Sequence, residues 1–156
     1  MLKAKTVSET AIHEQTAVVY PNDLNPYGTL FGGKVLETCD WLAGLIARRH
    51  SGKVCVTLGI DSVRFLAPAK HGDTLVYKAS VNRVWKSSME IGLKVFTEDF
   101  RSLKRIHILS AYFTFVAVDD HMKPIAICHV IPETTEEKRR YQQAEERRQQ
   151  RLRKNS

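Results

Sequence analysis

Asn25-Pro26-Tyr27-Gly28-Thr29-Leu30-Phe31-Gly32-Gly33 runs directly into a segment, 33–49, whose apolar residues Val35, Leu36, Cys39, Leu42, Ala43 and Ile46 recur at three- and four-residue steps. That is the period of an amphipathic helix. The glycines at its start suit a tight turn or a close backbone approach. At the other end Arg48, Arg49 and His50 favour the negative C-terminus, and Gly52 follows as a stop. Beyond that helix the period changes to two. Four long β-rich runs, 54–66, 74–85, 89–98 and 105–118, are separated by short connections rich in Pro, Gly, Ser and Asp.

Short connections between consecutive long strands imply antiparallel pairing, because parallel pairing needs a crossover of a dozen residues or more. Residues 16–20 add a short strand before the glycine loop. In the run 89–98, Met89, Ile91, Leu93 and Val95 share one face, while Glu90, Lys94 and Glu98 share the other, which reads as solvated. The run 106–118 is apolar on both faces, so its outer face is expected to be covered, with another chain as one candidate. One long helix followed by an antiparallel sheet of five to six strands has an economical packing in which the sheet curls around the helix. The fold class is therefore α+β.

Residues 1–132 form the expected domain, and 133–156 a basic C-terminal tail. Thr134-Thr135-Glu136-Glu137 supplies a capping box for a helix to about Arg153. The tail holds eight Lys/Arg against five Asp/Glu, a net +3 of the chain's +7. It has almost no apolar stripe, so it reads as solvated, docked on a partner chain, or frayed. A positive balance favours anionic partners without selecting one. The N-terminal segment lacks the apolar run of a signal peptide, and no stretch approaches the ~20 apolar residues of a membrane span. A cytoplasmic protein with no membrane insertion is the expectation. Cys39, Cys55 and Cys128 lack C-x-x-C spacing and sit in apolar contexts, as buried reduced thiols do.

Residues 28–35 fit G-x-x-x-x-G-K, but Val35 stands where a phosphate loop needs a hydroxyl for magnesium. The same glycines have another use. No acidic residue appears before Glu37, so the positive end of the helix is free to meet an oxyanion, and amides near Gly32 and Gly33 can polarise a carbonyl. The alternative is that these glycines only let the helix pack tightly. Asp40 lies on or beside the apolar stripe, where an unpaired carboxylate is costly. It reads as a general base or nucleophile, or else as half of a buried ion pair. Gly33 and Asp40 are separated by two turns, ~10 Å along the axis. One carbonyl cannot touch both, so a substrate either enters at an angle or meets the amides of one protomer and Asp40 of another.

His13, His50, His71, His107, His121 and His129 are scattered, with no metal-ligand spacing, and no metal site is expected. There is no G-x-S-x-G elbow. In the tail, glutamates are interleaved with the arginines and aromatic residues are nearly absent, so no nucleic-acid partner is expected.

The pattern Asn25-x-x-Gly28-x-x-x-Gly32-Gly33 with Asp40 resembles the hotdog-fold acyl-CoA thioesterases of the cytosolic acyl-CoA hydrolase type. Thr57, Phe65-Leu66-x-Pro68 with Gly72-Asp73, Ser87-Ser88-Met89-Glu90, and Phe115-Val116-Ala117-Val118-Asp119 with Lys123-Pro124 extend the likeness over residues 12–140. The resemblance implies a long helix wrapped by an antiparallel sheet, homodimers with a continuous sheet, and trimers of dimers with sites at the dimer interface. It implies that Asn25 and Asp40 are the polar pair for hydrolysis, contributed by different copies. The implied reaction takes acyl-CoA to free acid and CoA with no separate cofactor, coenzyme A being part of substrate and product. Candidates for the CoA phosphates are Arg64, Arg83, Lys86 and the tail, with Ser87 and Ser88 beside them. Related dehydratases carry a loop histidine, which is absent here between Pro21 and Gly33. The rival reading is a non-enzymatic module that binds RNA or protein through the basic C-terminal helix.

Overall fold

A computed structural model describes residues 2–156. The apolar period after the glycine loop becomes helix α2 in the chain order β1 (Lys5–Thr6), α1 (Val7–Thr10), β2 (Ile12–Val18), α2 (Gly32–Ser51), β3 (Val54–Phe65), β4 (Thr74–Val84), β5 (Ser88–Glu98), β6 (Arg105–Val118), β7 (Val130–Ile131) and α3 (Thr135–Lys154). Helix α2 buries Val35, Cys39, Leu42, Ala43, Ile46 and Ala47, one stripe at helical spacing, against β4, β5 and β6. Its C-terminus closes on Gly52 at φ 65, whose N–H reaches Arg48 O at 2.8 Å. Lys5 Nζ also donates to Arg49 O at 2.7 Å and His50 O at 3.0 Å, a cation on the negative end of the dipole.

The five-stranded sheet has the order β2-β4-β5-β6-β3, all neighbours antiparallel. It wraps α2, as a hotdog fold does. The period-two runs form strands within a residue of their expected limits. The first strand differs, covering Ile12–Val18 rather than 16–20. A two-stranded parallel pair, β1 with β7, was not legible in the sequence.

Chain-adjacent strands pair for β4–β5 and β5–β6, but β3 pairs with β6 at the far edge rather than with β4. Residues 66–73 make that crossing. Eight extended residues reach up to about 27 Å, and three inter-strand spacings need only about 14 Å, so a short connection does not force adjacency. This places β3 at an edge, with two irregularities in its ladder, after Thr57 and after Asp61, where Ser62 has φ 51.

The solvated face expected for β5 is instead covered by the chain's own C-terminal helix. Glu90 is fully buried there and receives a two-point contact from Arg147, Nε to Oε2 at 3.0 Å and Nη2 to Oε1 at 2.6 Å. The Arg147 guanidinium also stacks 3.6 Å from the Tyr112 ring on the outer face of β6. Arg151 donates to Asp61 on β3 at 2.9 Å, and Trp85 Nε1 donates to Glu145 at 2.8 Å. One face of helix α3 therefore lies on the sheet of its own chain, while Glu136, Lys138, Glu146 and Gln149 stay exposed. It docks through charge and aromatic contacts because it has no apolar stripe to bury. Its start is the expected capping box, Thr134 with Glu137.

Candidate active site

The chain 21–31 approaches α2 as a turn built by one side chain. Asn25 Oδ1 accepts from the Tyr27 and Thr29 amides at 2.9 and 3.2 Å, and its Nδ2 donates to Thr29 Oγ1 at 2.8 Å. Gly28 at φ 80 completes the turn. Two isolated bridges, Leu24–Leu30 and Thr29–Lys70, anchor it. Asn25 thus shapes the loop that delivers the helix start, with its second Nδ2 hydrogen left for another acceptor.

That helix start is open. Phe31 is the N-cap, no side chain caps it, and its first turn carries no acidic residue. The Phe31 carbonyl accepts from Lys34 N and Val35 N, and the Gly32 and Gly33 amides have no acceptor among the described residues. A Cβ at Gly33 would lie 2.6 Å from Phe31 Cε1, and one at Gly32 would lie 3.0 Å from Phe65 Cζ. A side chain at either position would have to displace one of these two rings.

A cavity of about 440 Å³ opens beside Gly32, lined by Leu30, Val35, Phe65, Pro68 and Leu109 among others. It is apolar and of a size for an acyl chain. A larger cavity of about 810 Å³ lies on the outer face of the sheet between β2 and α3, among Lys78, Asn82 and Arg139. It is on the wrong side of the sheet to meet α2, so the smaller cavity belongs with the helix start.

Asp40 is half-buried, two turns into α2. Its Oδ1 accepts from Thr57 Oγ1 of β3 at 2.8 Å, while Oδ2 has no hydrogen bond among the described residues. Among the described residues Asp40 forms no ion pair, and its one side-chain hydrogen bond is to Thr57. The preceding residue, Cys39, is fully buried, and its thiol is pushed up to about 12 by that burial and then by the Asp40 charge. No thiolate is available from it. Among the described residues no hydrogen bond links Asn25 to Asp40. Within one chain they belong to separate places, the loop before the helix and its second turn beyond.

The candidate phosphate-binding residues divide. Arg64 is exposed near the end of β3. Arg83 lies under α3, with Nε 3.1 Å from Glu145 and its guanidinium 4.1 Å from the Tyr141 ring. Ser87 and Ser88 sit at the β4–β5 turn, where the Ser87 carbonyl accepts from Ala117 N, at the end of the sheet opposite the helix start. Thr57 carries no motif of its own. Its only sequence signal is its place in the family pattern, because seventeen residues separate it from Asp40.

Three arginines of α3 are engaged with the sheet of their own chain: Arg147 with Glu90, Arg151 with Asp61, and Arg148 at 4.7 Å over the Trp85 ring. The rival reading of a basic helix free to bind RNA or protein has no support in this arrangement. No helix among the described residues is long and apolar enough to cross a membrane.

Known proteins are similar to this chain in sequence and in fold. The family model of the thioesterase superfamily matches residues 27–103. The uncharacterized acyl-CoA thioester hydrolase YkhA of Bacillus subtilis is 39% identical over 79% of this chain and 72% of its own length. The crystal structure of an apo-hexameric acyl-CoA thioesterase superposes with a TM-score of 0.93 at 35% identity, covering 99% of both chains. The acyl-CoA hydrolase of Staphylococcus aureus, solved with butyryl coenzyme A, coenzyme A and coenzyme A disulfide, gives 0.92 at 36% identity over 98% of this chain and 93% of that one. Structures of that enzyme include variants with an aspartate, an asparagine or a threonine changed to alanine. With its hotdog fold and these relatives, the chain belongs to the acyl-CoA thioester hydrolases of the thioesterase superfamily.

Proposed function

We propose that this protein hydrolyses acyl-CoA thioesters to the free acid and CoA, at a site assembled from two protomers. The observation that carries the proposal is the uncapped start of α2, with its Gly32 and Gly33 amides beside an apolar cavity. The acyl chain enters that cavity, and the thioester oxygen meets the amides, whose hydrogen bonds strengthen as it becomes an oxyanion. Asp40 Oδ2 takes a proton from water, and the water oxygen attacks the carbonyl carbon. The C–S bond then breaks, and the departing thiolate takes from Asp40 the proton that water gave up. Thr57 holds the other carboxylate oxygen, and Asn25 orients water or thioester through its remaining amide hydrogen.

Asp40 is about 12 Å along the axis from Gly32, too far for both to act on one carbonyl in one chain. A second protomer resolves this. The edge strand β3 has unpaired backbone groups and exposed Val54, Leu58 and Phe65. Pairing it antiparallel with its copy buries these side chains and continues the sheet. It also sets the early part of one β3, with Thr57 and Asp40, against the late part of the other, with Phe65 and the helix start. The β4–β5 turn comes to the same end, so Ser87 and Ser88 of the partner subunit and Arg64 are the groups for the CoA moiety. Trimers of such dimers match the hexamer described for the apo-hexameric relative. The reaction requires no metal or cofactor.

Thiol release from acyl-CoAs of graded chain length tests the activity. Turnover that vanishes in Asp40→Asn with the assembly intact supports the reading, and unchanged turnover overturns it. Single-turnover hydrolysis in ¹⁸O-water tests the role of Asp40: label only in the fatty acid fits an activated water, whereas label in Asp40 indicates an anhydride.

A further inference from the structure

The turn between β5 and β6, residues 99–104, is built with more care than a surface hairpin needs. Asp99 Oδ1 accepts from Arg101 N at 3.0 Å, Ser102 N at 2.7 Å and Ser102 Oγ at 3.0 Å. The backbone adds Leu103 N to Asp99 O at 2.8 Å and Asp99 N to Lys104 O at 2.9 Å. The hydrogen bonds to Ser102 and then Arg101 hold the Asp99 carboxyl below its usual range, so it stays ionised and keeps the turn closed.

What the turn presents is apolar. Leu103 has φ 59, a left-handed conformation that is strained for a branched side chain. Asn or Gly would occupy it without strain. Instead the position holds Leu103 with 67% of its surface exposed, beside Phe100 at 73% and Ile106 at 60%. None of the three gains burial within the chain. Between them stand Arg101 and Lys104, neither of which forms an ion pair among the described residues, and the Arg101 guanidinium lies 5.1 Å over the Phe100 ring. The only carboxylate on the turn faces inward.

The turn lies at the end of the sheet that holds the α2 N-terminus. Ile106 is two residues from Ile108, whose carbonyl accepts from Leu66 N and whose side chain lines the apolar cavity. A second turn, 119–123, makes a useful contrast. Asp119 organises it in the same way and Met122 is left-handed and exposed, but it carries Asp120 and lies at the opposite end of the sheet.

From this we infer that the β5–β6 turn docks the protein on an anionic lipid surface, with Phe100 and Leu103 entering the headgroup region and Arg101 and Lys104 on lipid phosphates. Rigid presentation of two apolar side chains flanked by unpaired cations suits that surface, where each cation contributes on the order of 1 kcal/mol. Docking requires no turnover, so it stands or falls apart from the proposed hydrolysis.

Flotation of the full chain with vesicles of phosphatidylcholine, with and without phosphatidylglycerol, tests this. The expected result is binding only to the anionic vesicles, lost at high salt. Phe100→Ser with Leu103→Ser weakens it at least about tenfold, and Arg101→Gln with Lys104→Gln weakens it roughly thirtyfold. Leu103→Asn separates docking from folding, because it relieves the left-handed strain and raises Tm while weakening vesicle binding. Met122→Ser leaves binding unchanged. The inference is overturned if the wild type ignores anionic vesicles or if the turn variants bind as well as wild type. It is also overturned if those variants change the assembly mass, which would make the turn a contact between copies.

Discussion

The Thr57 hydroxyl donates to Asp40 Oδ1 at 2.8 Å, tying the second turn of the central helix to the edge strand of the sheet. That one bond orients the carboxylate and leaves one oxygen free. It also makes the geometry of Asp40 depend on β3, the strand through which a second protomer would be joined.

Thr57→Ala is expected to lower kcat by about 10- to 100-fold, with KM little changed, because the carboxylate loses orientation and not charge. Thr57→Ser keeps the donor and retains most of the rate. Steady-state thiol release reads both.

Gly33→Ala places a methyl 2.6 Å from the Phe31 ring, which is half exposed and swings aside at little cost to folding. Tm should shift by only a few degrees, since helix propensity favours Ala by about 1 kcal/mol. The displaced ring and the new Cβ crowd the amides, and kcat falls roughly a hundredfold. Calorimetry alongside kinetics separates the two effects.

Removing Arg147 leaves Glu90 buried with only Arg151, 4.0 Å away, as a cation. Arg147→Ala should cost about 3 kcal/mol in denaturant unfolding. Glu90→Gln in that background restores part of it, because the uncompensated charge is gone. Additive losses would show that the two side chains are not coupled.

His50 is fully buried at the end of α2, with Nε2 3.0 Å from Cys128 O and Nδ1 without a partner. Burial holds its pKa below the ordinary 6.5, and the contact with the Cys128 carbonyl only partly offsets this. The folded chain therefore binds its proton at lower pH than the unfolded chain. Stability present above about pH 6.5 is lost as pH falls below that value toward the folded pKa. Thermal unfolding from about pH 8 to pH 5 should show this decline, and His50→Gln should flatten it.

The helix and its stop at Gly52 were legible because burial of one face leaves a period, and the strand limits because alternation does the same. What stayed hidden was carried by long-range contact. The place of β3 beside β6 depends on where residues 66–73 cross, which no local pattern records. Glu90 read as solvent-facing because alternation identifies the face opposite the helix without saying what covers it. Helix α3 docks through Arg147, Arg151 and Glu145, and a helix that packs by charge has no apolar stripe to betray it. At the site, Asp40 and the two glycines stood out as residues costly or unusual in their positions. Thr57 is an ordinary strand residue until the fold sets it against Asp40, and Arg83 resembled a free cation until α3 covered it.

In the proposed assembly Asp40 of one protomer serves the helix start of another. Subunit exchange between Asp40→Asn and Asn25→Ala chains, each inactive alone, tests it most directly by thiol release from an acyl-CoA. Random re-pairing makes half of the dimers mixed, and in each of these one of two sites has both residues intact, so about a quarter of wild-type activity should return. A mixture that stays as inactive as its components would contradict the shared site.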